Sequence, residues 1–215
     1  MRRLALFDLD HTLLPIDSDN EWGRFLCRTG RVADVAAFNA RIDAFFEQYK
    51  RGQLGVLAGR PADEIEAWRR EYIDTVIRPS LNAEALALVK KHLDAGDLCV
   101  IVTATNAFVT RPIAGLFGVQ HLLGAEGEVK DGRYTGEPQG TITFQAGKLV
   151  RLREWLHEQG LTPDDFDEIW AYSDSRNDLP MLEMATHPVA TNPDPVLRQT
   201  ATERGWPIID LFPLA

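Results

Sequence analysis

Four short apolar runs in this chain each end in a cluster of small polar side chains. Leu4-Ala5-Leu6-Phe7 leads into Asp8-Leu9-Asp10-His11-Thr12, and Leu98-Cys99-Val100-Ile101-Val102 into Thr103-Ala104-Thr105-Asn106. Ile169-Trp170-Ala171-Tyr172 leads into Ser173-Asp174-Ser175, and Pro188-Val189-Ala190 into Thr191-Asn192. Continuous apolar runs of this length, closed by turn residues, fit strands buried on both faces. Pro207-Ile208-Ile209 reads as a fifth strand at the sheet edge.

Helical patterns separate the runs. Glu84 to Ala95 carries Leu86, Val89 and Leu93 on one face and stops at Gly96. Lys148 to Gln159 carries Leu149, Leu152, Trp155 and Leu156 and stops at Gly160, and Pro195 to Arg204 is a weaker helical pattern. Buried strands alternating with helices imply an α/β fold with a parallel sheet covered on both faces. Such sheets bind ligands beyond the carboxyl ends of their strands, where the polar clusters fall.

No strand pattern occurs between residues 17 and 80. Phe38, Ile42, Phe45, Phe46 and Tyr49 keep helical spacing, as do Ile65, Trp68, Tyr72 and Val76. The segment reads as a small helical domain inserted after the first strand, with Trp22, Phe25 and Trp68 as its packing residues. Val129-Lys130-Asp131-Gly132-Arg133-Tyr134 reads as a hairpin with an Asp-Gly turn.

Charge narrows the partners. The chain carries 32 acidic and 23 basic side chains, a net charge of −9, which disfavours non-specific binding to nucleic acid or anionic membrane. Arg2 and Arg3 precede an apolar run too short for a signal-peptide core, and no stretch reaches membrane-spanning length. Cys27 and Cys99 form no CxxC pair and read as reduced thiols of a cytoplasmic protein.

The strand-end clusters are rich in hard donors. Asp8 and Asp10 stand two apart and would share a face in extended chain. Asp174 and Asp178 flank the turn after the third run. These carboxylates make a hard-cation site for which magnesium is the expected occupant. Thr103 and Lys148 offer donors for phosphate oxygens. His11 is expected to serve its turn through the backbone.

With these residues in place, the chain resembles the haloacid dehalogenase superfamily. Asp8-Leu9-Asp10-His11-Thr12 matches its DxDxT motif, Thr103 its second motif, Lys148 its third, and Ser173-Asp174-Ser175-Arg176-Asn177-Asp178 its fourth. The resemblance implies a Rossmann-like core over 1–16 and 81–215, and a helical type 1 cap over 17–80. With the hairpin before Lys148, it points to the phosphoserine-phosphatase-like branch.

The resemblance also implies roles. Asp8 is the nucleophile that becomes an aspartyl-phosphate, and Asp10 the general acid and base. Magnesium is held by the Asp8 side chain, the Asp10 backbone carbonyl and Asp174. Thr103 and Lys148 bind the phosphoryl group. Asn177 and Asp178 support the water and the lysine. Asp17 and Arg51 are the expected readers of a substrate amine and carboxylate. The substrate is then a small phosphorylated metabolite. Ala104 and Thr105 replace glycines common in phosphoserine phosphatases, which leaves the choice of ester open. A phosphotransferase or phosphomutase would share the same aspartyl-phosphate. A non-catalytic phosphate-binding module would have lost Asp8, Asp10 or Asp174.

Overall fold

The computed structural model describes residues 2–31, 62–131 and 133–212. Seven strands form one sheet: β1 (Arg3–Phe7), β2 (Leu98–Asn106), β3 (His121–Lys130), β4 (Arg133–Gln139), β5 (Glu168–Ser173), β6 (His187–Thr191) and β7 (Ile208–Ile209). Their order is β4-β3-β2-β1-β5-β6-β7. All neighbours pair in parallel except β3 and β4, which form the antiparallel hairpin. The α/β reading is borne out, with β7 at the edge as expected.

Alternation along β1 divides the core in two. Ala5 and Phe7 join one cluster with Cys99 and Ile101, whereas Leu4 and Leu6 join the other with Val100 and Val102. Period-two side chains thus feed both faces of the sheet. Full burial of such side chains contributes about 1.5–3 kcal/mol each.

The first face is covered by α1 (Ser18–Arg28), α2 (Ala62–Tyr72), α3 (Ala83–Asp94) and α4 (Ala107–Leu116), whose Trp22, Ile65, Val89 and Ile113 lie in that cluster. A π-helical turn, Ile73–Ile77, extends α2. The second face is covered by α5 (Ala146–Glu158), α6 (Leu179–Met184) and α7 (Pro195–Arg204), through Leu152, Leu182 and Leu197. Trp22 and Phe25 are buried and stack on each other, as packing residues should. Among the described residues, no helix is long and apolar enough to cross a membrane.

Local chemistry sets the helix ends. The Asn82 carboxamide oxygen accepts from the amides of Glu84 and Ala85 and starts α3. Gly96 and Gly160 follow α3 and α5 with φ of 75° and 69°, a left-handed conformation that glycine adopts without steric cost.

Three elements escape sequence patterning. The expected hairpin at Val129–Tyr134 is the outer end of longer strands, because β3 begins at His121 and pairs in parallel with β2. Its inner part contains only Leu122 and Leu123 as an apolar run before Gly124, too short to read as a strand. The α4 helix carries Pro112 in its interior and is interrupted by exposed Arg111 and Gly115, so its composition does not read as an uninterrupted helix. Pro112 has no N–H for the Phe108 carbonyl, and Arg69 Nη1 on α2 donates to that oxygen at 2.7 Å. This bond fastens α2 to α4. The α6 helix is only six residues long.

Candidate active site

The loop after β1 is built to hold its carboxylates still. The Asp8 amide donates to the Tyr172 carbonyl at 2.9 Å, so the sheet ladder still fixes Asp8. The chain then turns through His11, at φ 58°, and both Leu13 and Leu14 donate amides to the Leu9 carbonyl. Asn192, just beyond β6, donates from Nδ2 to the His11 carbonyl at 2.9 Å. His11 therefore serves the turn through its backbone.

Lys148 joins two strand ends. Its Nζ donates to Asp8 Oδ1 at 2.7 Å and to Asp178 Oδ2 at 2.7 Å, with all three side chains buried. Ser173 Oγ donates to the same Asp178 oxygen at 2.7 Å. Burial works to lower the lysine's pKa, but the Asp178 and Asp8 carboxylates override it and hold the ammonium above its usual range. Burial also pushes the Asp178 carboxyl up, against the pull of Lys148. Lys130 is paired on the surface with Glu128, and Arg151 with Glu158.

Asp174 faces Asp8 across Thr12. The Thr12 hydroxyl lies 3.0 Å from Asp174 Oδ1 and 3.3 Å from Asp8 Oδ2, and accepts the Asp174 amide at 3.0 Å. One hydroxyl proton serves only one carboxylate at a time. Burial and the Asp8 charge push Asp174 up to about 8. Two facing carboxylates short of donors are an oxygen donor set suited to a hard divalent cation. Among the described residues, no group of three His, Cys, Asp or Glu side chains could hold a metal. The Asp10 carboxylate is engaged elsewhere, by Thr105 and Ser18.

Asp10 Oδ2 accepts from the Thr105 hydroxyl at 2.7 Å, and Oδ1 from the Ser18 amide at 2.9 Å. Burial, then the nearby Asp17 charge, raise its pKa to about 7, while Thr105 and Ser18 work in the other direction. A carboxyl that titrates near neutrality can both give and take a proton.

Asp8, Asp10, Asp17, Thr103, Lys148, Asp174, Asn177 and Asp178 all line one cavity at the carboxyl ends of the strands. Thr103 is buried, with its hydroxyl accepting the Thr105 amide at 3.1 Å. Asn177 Oδ1 lies 3.4 Å from Gln145 Nε2. Arg51 lies outside the described residues. Thr12, Thr105 and Ser173 serve the site although sequence reasoning gave them no role. Each is a hydroxyl within two residues of an expected site residue, and that proximity is the available signal. Asp19, in the first turn of α1, lines the cavity as well, and sequence reasoning gave it no role.

The family profile described as haloacid dehalogenase-like hydrolase matches residues 5–183. A histidinol-phosphatase of Neisseria meningitidis serogroup C is 38% identical over 221 residues, covering 98% of this chain and 99% of that protein. The phosphoserine phosphatase SerB1 of Mycobacterium tuberculosis is 34% identical over 218 residues, covering 96% of this chain and 70% of its own length. A crystal structure of a protein of unknown function from Bordetella pertussis superposes with a TM-score of 0.92 at 53% identity, over 99% of this chain and all of that one.

Proposed function

The chain belongs to the haloacid dehalogenase-like hydrolases, and on that premise we propose that it is a magnesium-dependent phosphomonoesterase acting on a small phosphorylated amino alcohol through an aspartyl-phosphate at Asp8. The observation that carries this reading is Lys148 bridging Asp8 and Asp178 at 2.7 Å each, beside Asp174. The near-complete overlap with a histidinol-phosphatase supports an ester of the histidinol phosphate type. Phosphoserine is the second reading, favoured by the 34% identity to a phosphoserine phosphatase.

Asp8 and Asp174 would hold the ion with the Asp10 backbone carbonyl, and the ion supplies charge neutralisation beside the phosphate dianion. An Asp8 oxygen attacks phosphorus, the bond to the ester oxygen breaks, and that oxygen leaves with the bonding pair. Asp10 gives it a proton. Asp10 then takes a proton from water, whose oxygen attacks the aspartyl-phosphate and frees phosphate and Asp8. Lys148 offsets charge on the phosphoryl oxygens, held in place by Asp178 and Ser173. The Thr103 hydroxyl donates to a phosphoryl oxygen, and Asn177 supports the water. Residues 17–80 act as a cap over this core, with Ser18 at its entrance bonded to Asp10.

The test is phosphate release from 4-nitrophenyl phosphate, histidinol phosphate and phosphoserine, with magnesium and with excess chelator. Turnover that needs the metal, with histidinol phosphate preferred, is the expected result. Full activity in chelator would overturn the metal assignment.

A further inference from the structure

The active-site cavity is strongly acidic. Among the described residues, Asp8, Asp10, Asp17, Asp19, Asp174 and Asp178 line it against a single lysine, Lys148, which two of them already engage. A divalent ion would be drawn to Asp8 and Asp174 and leaves Asp17 and Asp19 unneutralised. A phosphate dianion entering beside them meets repulsion unless its leaving group carries positive charge.

The two carboxylates at the start of α1 are not equivalent. Asp17 is committed to the helix: its Oδ1 accepts the amides of Asp19 at 3.0 Å and Asn20 at 2.8 Å, and its Oδ2 accepts Asn20 Nδ2 at 2.9 Å. Those bonds satisfy a helix terminus and leave little capacity for a ligand. Asp19 is 5% exposed, and its carboxylate receives no hydrogen bond among the described residues, yet it lines the cavity. Burial, then the charges of Asp17 and Asp10, hold its carboxyl well above the usual range. A buried carboxylate without donors is costly, and a cation delivered by a ligand relieves that cost.

We propose that Asp19, and not Asp17, is the specificity-determining residue that receives the cationic nitrogen of the substrate, an ammonium or imidazolium on the leaving alcohol. This rests on the phosphomonoesterase reading above, and it makes α1 a helix in which one acid caps and the next one binds.

The test compares 2-aminoethyl phosphate with propyl phosphate, which differ by ammonium against methyl, alongside 4-nitrophenyl phosphate. The wild type should favour the amino ester in kcat/KM. Asp19→Asn, nearly the same in shape, should reduce that preference by roughly ten- to hundred-fold, the worth of a charge-assisted contact, through KM rather than kcat. Asp17→Asn should lower Tm while changing the preference less than about three-fold, because a cap contributes to stability and not to ligand contact. In wild-type protein, 2-aminoethylphosphonate should inhibit 4-nitrophenyl phosphate hydrolysis with a Ki at least about ten-fold below that of propylphosphonate, a comparison that needs no variant. Equal Ki values, or equal loss on both esters in Asp19→Asn, overturn the assignment while leaving the phosphatase intact. An Asp19→Asn defect cured by excess magnesium would place Asp19 at the metal and also overturn it. Failure of the wild type on every ester is a failure of the phosphomonoesterase reading itself.

Discussion

Gly147 lies so close to Ile142 that a Cβ built on it would stand 2.0 Å from the Ile142 carbonyl oxygen. No side chain fits there without moving backbone. The residue immediately follows Ala146, the first residue of α5, and immediately precedes Lys148. The contact therefore sets where the helix begins, and with it the reach of the lysine amine to Asp8. Gly147→Ala should destabilise the protein by about 1–3 kcal/mol, as overpacking does. It should also reduce kcat well beyond what the loss of folded protein accounts for. A variant with wild-type kcat would show that the lysine tolerates displacement of its helix.

Lys148→Ala should cost far more than Lys130→Ala. Removing Lys148 leaves the buried Asp8 and Asp178 carboxylates without their shared cation, a loss of about 3–5 kcal/mol by analogy with other broken buried pairs. Lys130 is 70% exposed and pairs with Glu128 on the surface, where such pairs contribute about 1 kcal/mol or less. Turnover and urea denaturation of the two variants decide the matter, and equal effects would refute the placement of the third motif at Lys148.

Asp8→Asn should abolish turnover and keep the fold, because an amide is a very poor nucleophile at phosphorus. Asp10→Asn should slow turnover by roughly 10²–10⁴-fold, the usual worth of general acid–base catalysis. Rapid-quench detection of phosphorylated protein separates them: Asp10→Asn should still show phosphoenzyme with an activated aryl ester, and Asp8→Asn should show none.

The strand-end carboxylates were legible because each follows an unbroken apolar run, so the pattern that buries a strand also marks its carboxyl end. Lys148 was legible because Gly147 and a helical apolar spacing frame it. The hydroxyls were not, because Thr12, Thr105 and Ser173 act by orienting neighbouring carboxylates, and nothing in their spacing distinguishes that from ordinary turn residues. The division of labour in α1 was hidden for a related reason. Asp17 and Asp19 are acids two residues apart where the helix starts, and only the backbone geometry shows that Asp17 commits its oxygens to amides as the cap. The α4 helix was obscured by Pro112, which reads as a helix breaker and whose missing donor is replaced from another helix by Arg69.

Arg69→Met should test that replacement. It keeps an unbranched apolar stem but removes the donor to the Phe108 carbonyl, at an expected cost of about 1.5–3 kcal/mol for a hydrogen bond from a charged group. Faster hydrogen exchange in α2, with α5 unaffected, would locate the loosening at α2. Uniform exchange changes would mean that the bond serves global stability only.

The metal-free protein should lose stability as pH rises through neutrality, and magnesium should reverse the loss. In the folded chain burial and the Asp8 charge push the Asp174 carboxyl up to about 8, whereas an unfolded aspartate has a pKa near 4. Between about pH 4 and pH 8 the folded state holds a proton that the unfolded state has released. Stability from this group is therefore full below the unfolded value and falls as pH rises toward the folded one, by at most about 1.4 kcal/mol per pH unit. Asp10, raised to about 7, adds a second contribution of the same sign. Replacing the charge removes the Asp174 part, so Asp174→Asn in chelator should be more stable than wild type at pH 8 and nearly equal to it at pH 4. A divalent ion needs deprotonated oxygens, so its binding competes with these protons. Magnesium should raise the wild-type Tm more at pH 8 than at pH 5, and should do little for Asp174→Asn. Thermal melts across that range, with and without chelator, measure all of this without an enzyme assay. A wild type whose metal-free Tm climbs from pH 5 to pH 8 relative to Asp174→Asn would show that the carboxylate is already paired in the empty fold, and that the site is not held in readiness for a cation.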